Sequence, residues 1–221
     1  MRKYMCTQYL RPIAGHTQDA FAEAKEFVEK FYDDAQTTHK VIIDSGCGTG
    51  ESTVNIALAH PGTPVIGIDK SAARLTKAGA ALNGAKLNGA ETVPPNAFLV
   101  RAELLDFWRL ALDEVTAGHW QIPYHALYYP NPWPKQSEAT RRFHLHPIFP
   151  TLLQLSDAIE LRTNWEIYAR EFAEAARIAT HCRAISCETF SPEQPITAFE
   201  RKYKEARQQL WRVIISNKAK A

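Results

Sequence analysis

Two carboxylates and three alternating glycines carry the first chemical signal in this chain. Residues 41–50 read VIIDSGCGTG and residues 65–69 read VIGID. A β-branched run ends in Asp44, Gly46, Gly48 and Gly50 follow at alternate positions, and a second apolar run ends in Asp69. Alternate glycines let a backbone turn tightly and approach a ligand with no Cβ in the way. An acid after the second strand can accept hydrogen bonds from both hydroxyls of a ribose. A strand, a glycine loop, a helix and a strand, with carboxylates at the strand ends, form a seat for a nucleotide-like cofactor.

The spacing narrows the cofactor. A dinucleotide fingerprint reads G-x-G-x-x-G, its last glycine packing helix against strand. Here the order is G-x-G-x-G, followed at once by Glu51. A negative side chain at the helix start is a poor neighbour for a pyrophosphate, which is drawn to the positive end of the helix dipole. S-adenosylmethionine has no phosphate and carries a sulfonium cation, so Asp44, Glu51 and Asp69 favour it. Glu103, just beyond the apolar run 98–100, is a third candidate contact, placed to accept from the adenine amino group. An ordinary glycine turn with no ligand is the plain alternative, and two acids in register weigh against it.

A second motif, Tyr129-Pro130-Asn131-Pro132-Trp133-Pro134-Lys135, follows a fourth apolar run. Three prolines in five residues fix a rigid loop where the methyl group should point. Proline disfavours helical backbone in the residue before it, so Asn131 and Trp133 are expected to be extended. Trp133 can stack on a base or pack under the loop.

The elements that must position these residues follow from periodicity. Phe21, Ala24, Val28 and Phe31 recur on one face of an opening helix. Strands are expected at 41–43, 65–68, near Phe98 and at 124–129, with helices after Gly50 and from a Ser71 N-cap to Leu82. The glycine- and proline-rich run 84–95 reads as a loop. A helix near 148–155, a short strand at 159–161, a helix at 165–178 and strands at 183–189 and 210–215 complete the pattern. Alternating strands and helices imply a mostly parallel α/β sheet with helices on both faces. With no repeat and no linker, residues 1–221 are expected to form one domain, with an arm and helix over 1–39 and the sheet core over 40–221.

Composition excludes more than it assigns. No run of 18 apolar residues occurs, so no membrane span is expected, and no apolar segment follows the basic start to make a secretory signal. The four cysteines (Cys6, Cys47, Cys182, Cys187) lack metal or disulfide spacing, which implies a reduced, cytoplasmic setting. Cys182 and Cys187 read as residues of one late strand. The eight histidines show no ligand spacing, so no metal is expected, and they read as surface or loop residues. Net charge is only +2, but bases gather at both ends: Arg2, Lys3 and Arg11 first, then Arg201, Lys202, Lys204, Arg207, Arg212, Lys218 and Lys220. Such termini either border a nucleic-acid surface or merely solubilise the chain.

Four segments together resemble the tRNA (guanine-N7)-methyltransferase family: VIIDSGCGTG, PNPWPK with Arg141-Arg142, TNWEIYA (163–169) and PITAFE (195–200). The resemblance runs from about residue 41 to 216. It implies a Rossmann-like class I methyltransferase with a mostly parallel seven-stranded sheet, S-adenosyl-L-methionine as cofactor and tRNA as partner. A monomer or homodimer is expected. By the same resemblance Asp44, Asp69 and Glu103 match cofactor-contacting positions, and Lys135, Thr197 and Glu200 match substrate-contacting ones. Trp133, Arg141, Arg142 and Asn164 join the expected substrate surface. Asn131 takes the expected catalytic position, where the family usually has an aspartate, and Asn164 also replaces one. The loop 136–140, QSEAT, replaces a strongly basic run. Guanine N7 has an in-plane lone pair and no proton to lose, so positioning dominates. An aspartate would still stabilise the developing cation, so slower transfer or a changed base preference is expected here.

Three other functions fit the same scaffold. Asn131-Pro132-Trp133 is similar to the Asn-Pro-Pro-aromatic motif of methyltransferases acting on exocyclic amino groups. A small-molecule methyltransferase would explain the thinned basic loop. A non-catalytic RNA-binding relative would keep the fold with an idle pocket, and would lack affinity for S-adenosylmethionine.

Overall fold

The computed structural model describes residues 11–33, 38–82, 93–180 and 183–217, with the side chains of 78–82 left aside. Arg2, Lys3, Cys6, Cys182, Lys218, Lys220 and most of the glycine- and proline-rich run lie outside the described residues. In chain order the first half holds α1 (Gly15–Tyr32), β1 (His39–Lys40), β2 (Ile42–Ser45), α2 (Glu51–Ala59), β3 (Val65–Asp69) and α3 (Ala72–Leu82). Next come β4 (Ala97–Arg101), α4 (Leu104–Thr116), β5 (Trp120–Gln121) and β6 (His125–Tyr128). After two short 3-10 turns come α5 (Phe149–Leu155), β7 (Ala158–Thr163), α6 (Glu166–Ala179), β8 (Ala184–Phe190), α7 (Ala198–Glu205) and β9 (Leu210–Ser216).

Seven strands form one sheet in the order β4-β3-β2-β6-β7-β9-β8. The first five are mutually parallel, and β9 pairs antiparallel with both β7 and β8. Strand order reverses between β2 and β6, and ligands of open α/β sheets bind at the carboxyl edge beside such a reversal. β1 and β5 form a separate two-stranded ladder.

Side chains alternate across the pleat and sort the core into two layers. Ile43, Ile66, Ile68 and Leu127 pack with Phe21, Phe107, Trp108 and Phe172 on one face. Ile42, Val65, Ala126 and Tyr128 pack with Ile56 and Ala57 of α2 on the other. The helices therefore lie on both faces, as the alternation implied.

Several elements depart from the sequence-based expectations. The pattern reading passed over α4, although Phe107, Trp108 and Ala111 give it a fully buried face; burying each of the two aromatic rings contributes roughly 2–3 kcal/mol. It also passed over α7, AFERKYKE, whose large apolar side chains are only Phe199 and Tyr203 on one face, and which Thr197 caps, its Oγ1 accepting from Glu200 N at 3.0 Å. Trp133 is not extended: its φ is 45°, and Tyr129, also before a proline, has φ 51°. The clamp on this loop described below overrides the usual preference. His125 and His144 are buried rather than on the surface. Burial pushes the His125 imidazole down to about 3, and it lies against Ser45 Oγ at 2.7 Å.

Candidate functional site at the carboxyl edge

Five neighbouring strand ends deliver the candidate residues to one edge. β4 leads into Glu103, β3 ends in Asp69, β2 carries Asp44 into the glycine loop, β6 leads into 129–135 and β7 into Asn164. The edge is therefore continuous from cofactor-type acids to the proline loop.

The glycine loop folds back on β3. Gly46 N and Cys47 N both donate to Ile68 O, at 2.8 and 3.1 Å. Gly48 N donates to Asp69 Oδ2 at 3.1 Å, while Asp69 Oδ1 accepts from Ser71 N at 2.8 Å. Arg74 Nη1 reaches Asp69 Oδ2 at 3.3 Å. A carboxylate has about four acceptor sites, so Asp69 keeps room for a ligand hydroxyl. Gly46, Gly48 and Gly50 all have positive φ (78°, 62° and 78°), a backbone that L side chains rarely adopt. Their surroundings differ. A Cβ on Gly46 or Gly48 meets nothing within 4 Å, whereas one on Gly50 would lie 2.7 Å from Leu99 Cδ1. Gly50 serves the fold, and the first two glycines leave open space.

Asp44 lies buried beneath this loop. Its Oδ2 accepts from Ser52 Oγ at 2.6 Å and Thr53 Oγ1 at 2.7 Å, both from the first turn of α2. Burial pushes its carboxyl up to about 6, against the pull of those two hydroxyls and with the charge of Asp69 adding to the rise. Such an acid would become fully charged beside a cation.

On the far side, residues 129–134 are held by Arg142. Its guanidinium donates to Pro132 O at 3.1 Å and to Trp133 O at 3.1 and 3.3 Å, and it pairs with Glu171 at 2.6 Å. Arg141 lies 4.5 Å over the Trp133 ring and pairs with Glu138 at 3.2 Å. Asn131 is exposed, and its Oδ1 accepts from Trp133 N at 3.2 Å, a local turn inside the loop. Lys135 is exposed.

α7 bridges the two halves. Arg201 Nη2 donates to Glu51 Oε1 at 2.6 Å, and Asn55 Nδ2 donates to Ile196 O at 3.0 Å, tying α7 to the start of α2. Glu200 is fully buried, accepting from Arg162 Nη1 at 2.7 Å and from Ile196 N at 2.9 Å. Arg162 also pairs with Glu160 at 2.6 Å and covers the Tyr128 ring at 4.6 Å. Tyr129 packs against both Phe199 and Tyr203, with ring centroids at 6.2 and 5.6 Å. Burial and the neighbouring Glu200 carboxylate push its phenol up.

Residues 38–213 match the Methyltransf_4 family, described as "Putative methyltransferase". The chain belongs to this methyltransferase family. Two curated relatives are each a tRNA (guanine-N(7)-)-methyltransferase. The one from Mycolicibacterium gilvum is 25% identical over 170 residues, covering 73% of this chain and 62% of its own length. The one from Saccharophagus degradans is 27% identical over 184 residues, covering 80% of this chain and 75% of its own length. The fold matches the N-terminal domain of human METTL16, solved with SAH, at a TM-score of 0.55 and 14% identity, over 95% of this chain and 73% of that one.

Within this methyltransferase the expected residues divide by surroundings. Asp44, Gly46, Gly48, Gly50, Asp69 and the half-buried Glu103, the residues expected to hold the cofactor, share the β4-β3-β2 side of the edge. Asn131, Trp133, Lys135 and Arg141 belong to one exposed loop system, while Arg142 is turned inward as its clamp. Thr197 and Glu200 cap and anchor α7. Asn164 Nδ2 donates to Gln208 Oε1 at 3.0 Å, just beyond α7. The Arg201–Glu51 tie had no local sequence signal, because 150 positions separate its ends. Among the described residues no group of three metal-ligating side chains forms, and no helix is long and apolar enough to cross a membrane.

Proposed function

We propose that this methyltransferase uses S-adenosyl-L-methionine to methylate N7 of a guanine in tRNA. The observation that carries the reading is the single edge described above, where open glycine positions and buried acids adjoin a rigid P-N-P-W-P-K loop. The residues present fit the cofactor: space at Gly46 and Gly48 that a Cβ would fill, a ribose-type acid at Asp69, and a buried carboxyl at Asp44 suited to a cationic ligand. When bound, S-adenosylmethionine supplies an electrophilic methyl group on a sulfonium. The names of the curated relatives support tRNA guanine as the acceptor.

The protein's own part is alignment. Guanine N7 attacks with an in-plane lone pair, so no side chain need remove a proton first. Arg142 holds the proline loop in one backbone geometry. Lys135 and Arg141 offer cations to RNA phosphates. Asn131 faces solvent with its carbonyl in a local turn, and as a neutral residue it stabilises a developing guanine cation less than a carboxylate would.

Purified protein should therefore transfer label from methyl-labelled S-adenosylmethionine into unfractionated tRNA, and the product should cleave at 7-methylguanine. Label on an exocyclic amine would overturn the N7 assignment. Cofactor binding with no labelled RNA would overturn tRNA as the substrate.

A further inference from the structure

Phe199 is the only aromatic among the exposed large hydrophobic side chains of the described residues, with 53% of its surface in solvent. It stands on the first turn of α7, beside the expected substrate loop. One side of the ring lies near Tyr203 (centroids 6.1 Å, planes 22° apart) and Tyr129 (6.2 Å, 32°). The remaining surface is open.

The helix that carries this ring is short and polar, yet tightly held. Thr197 caps it, Arg162 and the Ile196 amide fix Glu200, Arg201 ties it to Glu51, and Lys204 Nζ donates to Pro192 O and Glu193 O at 2.9 and 2.8 Å. These contacts fix the helix that holds the ring, with about half of the ring's surface left in solvent. A rigid, open aromatic face needs no induced order to receive a flat partner, so its ordering cost on binding is low. Lys202, one helical turn on, is exposed, as is Arg207 just beyond the helix end, whereas Arg201 and Lys204 are committed to Glu51 and to the Pro192 and Glu193 carbonyls; Glu205 is the one exposed acid of the helix. An aromatic face on a helix that also presents exposed cations suits a nucleobase on a phosphate backbone, because stacking accepts any base and the cations hold the strand.

We propose that Phe199 is a stacking platform for a base of the RNA substrate, placed by α7 next to the loop 129–134. The proposal rests on the RNA reading above. Tyr129 and Tyr203 support the ring from behind, and the Arg201–Glu51 bridge keeps the platform in register with the cofactor loop.

The test compares wild type with Phe199→Leu and Phe199→Trp, using a tRNA transcript and methyl-labelled S-adenosylmethionine. Phe199→Leu keeps an apolar side chain against Tyr129 but has no π face. It should lower kcat/KM for tRNA roughly 5- to 100-fold, the range expected for one lost base stack. Phe199→Trp should stay within about threefold of wild type, since it keeps the π face. Cofactor affinity should match wild type in both, and any fall in Tm from lost packing on Tyr129 should be small and should not track the loss of kcat/KM. A Leu variant as active as wild type overturns the platform and leaves the proposed function standing. So does a Leu variant whose cofactor affinity or Tm falls in step with its activity, since the ring would then be structural. A wild type that labels no RNA overturns both readings.

Discussion

Replacing Asp44 by Asn should stabilise the ligand-free protein while weakening its hold on the cofactor. Burial raises the Asp44 carboxyl from 3.8 to about 6. Above pH 6 the folded protein therefore carries a charge that the unfolded chain holds more easily. Between the two values the folded state binds the extra proton, so stability falls as pH rises through this window and levels off above it. At about 1.4 kcal/mol for each pH unit, the full cost is about 3 kcal/mol. An Asn carbonyl can take the place of Oδ2 and still accept from Ser52 and Thr53. Its amide group falls where Oδ1 was, and leaving it unpaired costs ~1 kcal/mol. The net gain at pH 7 is about 2 kcal/mol, or roughly 4–8 °C in Tm for a chain of this size. The Tm difference between Asp44→Asn and wild type should be near zero at pH 4.5 and grow to its plateau by about pH 7. Using the difference cancels the opposite trend of His125, a buried neutral imidazole that makes the fold less stable as pH falls below 6.5. The ranking should invert with ligand: a saturating cofactor raises wild-type Tm, and the variant, lacking the carboxylate proposed to face the cation, should lose on the order of 10- to 100-fold in affinity for S-adenosylmethionine. Differential scanning fluorimetry across pH, with and without cofactor, reads both arms. A variant that melts below wild type at pH 7 without ligand, or a difference independent of pH, refutes the argument from burial.

The glycines should separate fold from function. Gly50→Ala forces a Cβ to 2.7 Å from Leu99 at a positive φ and should cost about 1–3 kcal/mol in chemical denaturation. Gly46→Ala meets nothing, so it should cost only about 1 kcal/mol of backbone strain yet sharply weaken cofactor binding by calorimetry. Asn131→Asp keeps an acceptor for Trp133 N and adds a charge, so it should raise the single-turnover rate of guanine methylation on the order of tenfold or more; an unchanged or lower rate counts against the role of charge at this position. Lys135→Ala should reduce the slope of log affinity for tRNA against log salt by about 0.7–0.9, whereas Arg142→Ala should leave that slope alone and slow methylation, because its guanidinium serves loop carbonyls and Glu171.

The strand ends were legible because a β-branched run closing on an acid before alternate glycines has few other ways to fold. Asp44 and Asp69 stand where that pattern puts them. α4 was also present in the sequence, since Phe107, Trp108 and Ala111 follow helical spacing. α7 left a fainter mark, the T-x-x-E spacing of Thr197 and Glu200, which also reads as a substrate motif. What no local pattern carries is partnership across the chain. Glu51 reads as a charge that favours a cationic cofactor, and nothing near it in sequence announces that it also anchors Arg201. The buried rings of His125 and His144 depend in the same way on distant aromatic neighbours, Trp108 for one and Tyr168 for the other.

Arg142 shows most clearly why residue type alone misassigns a role. An arginine after a proline-rich loop in a nucleic-acid enzyme reads as a phosphate ligand, and its neighbour Arg141 keeps that reading. Yet Tyr129 and Trp133 both adopt positive φ before a proline, a backbone that costs of order 1–3 kcal/mol at each residue. Something must over-determine such a loop, and three donations from Arg142 to the Pro132 and Trp133 carbonyls do so from one side. From the other, Tyr129 wedges against Phe199 and Tyr203 on a helix itself tied to the cofactor loop. The strained loop and the glycine loop are thus held through one chain of contacts, from Arg142 through Tyr129 and α7 to Glu51. A positioning catalyst depends on that arrangement, because it fixes the distance between the group that gives and the group that accepts.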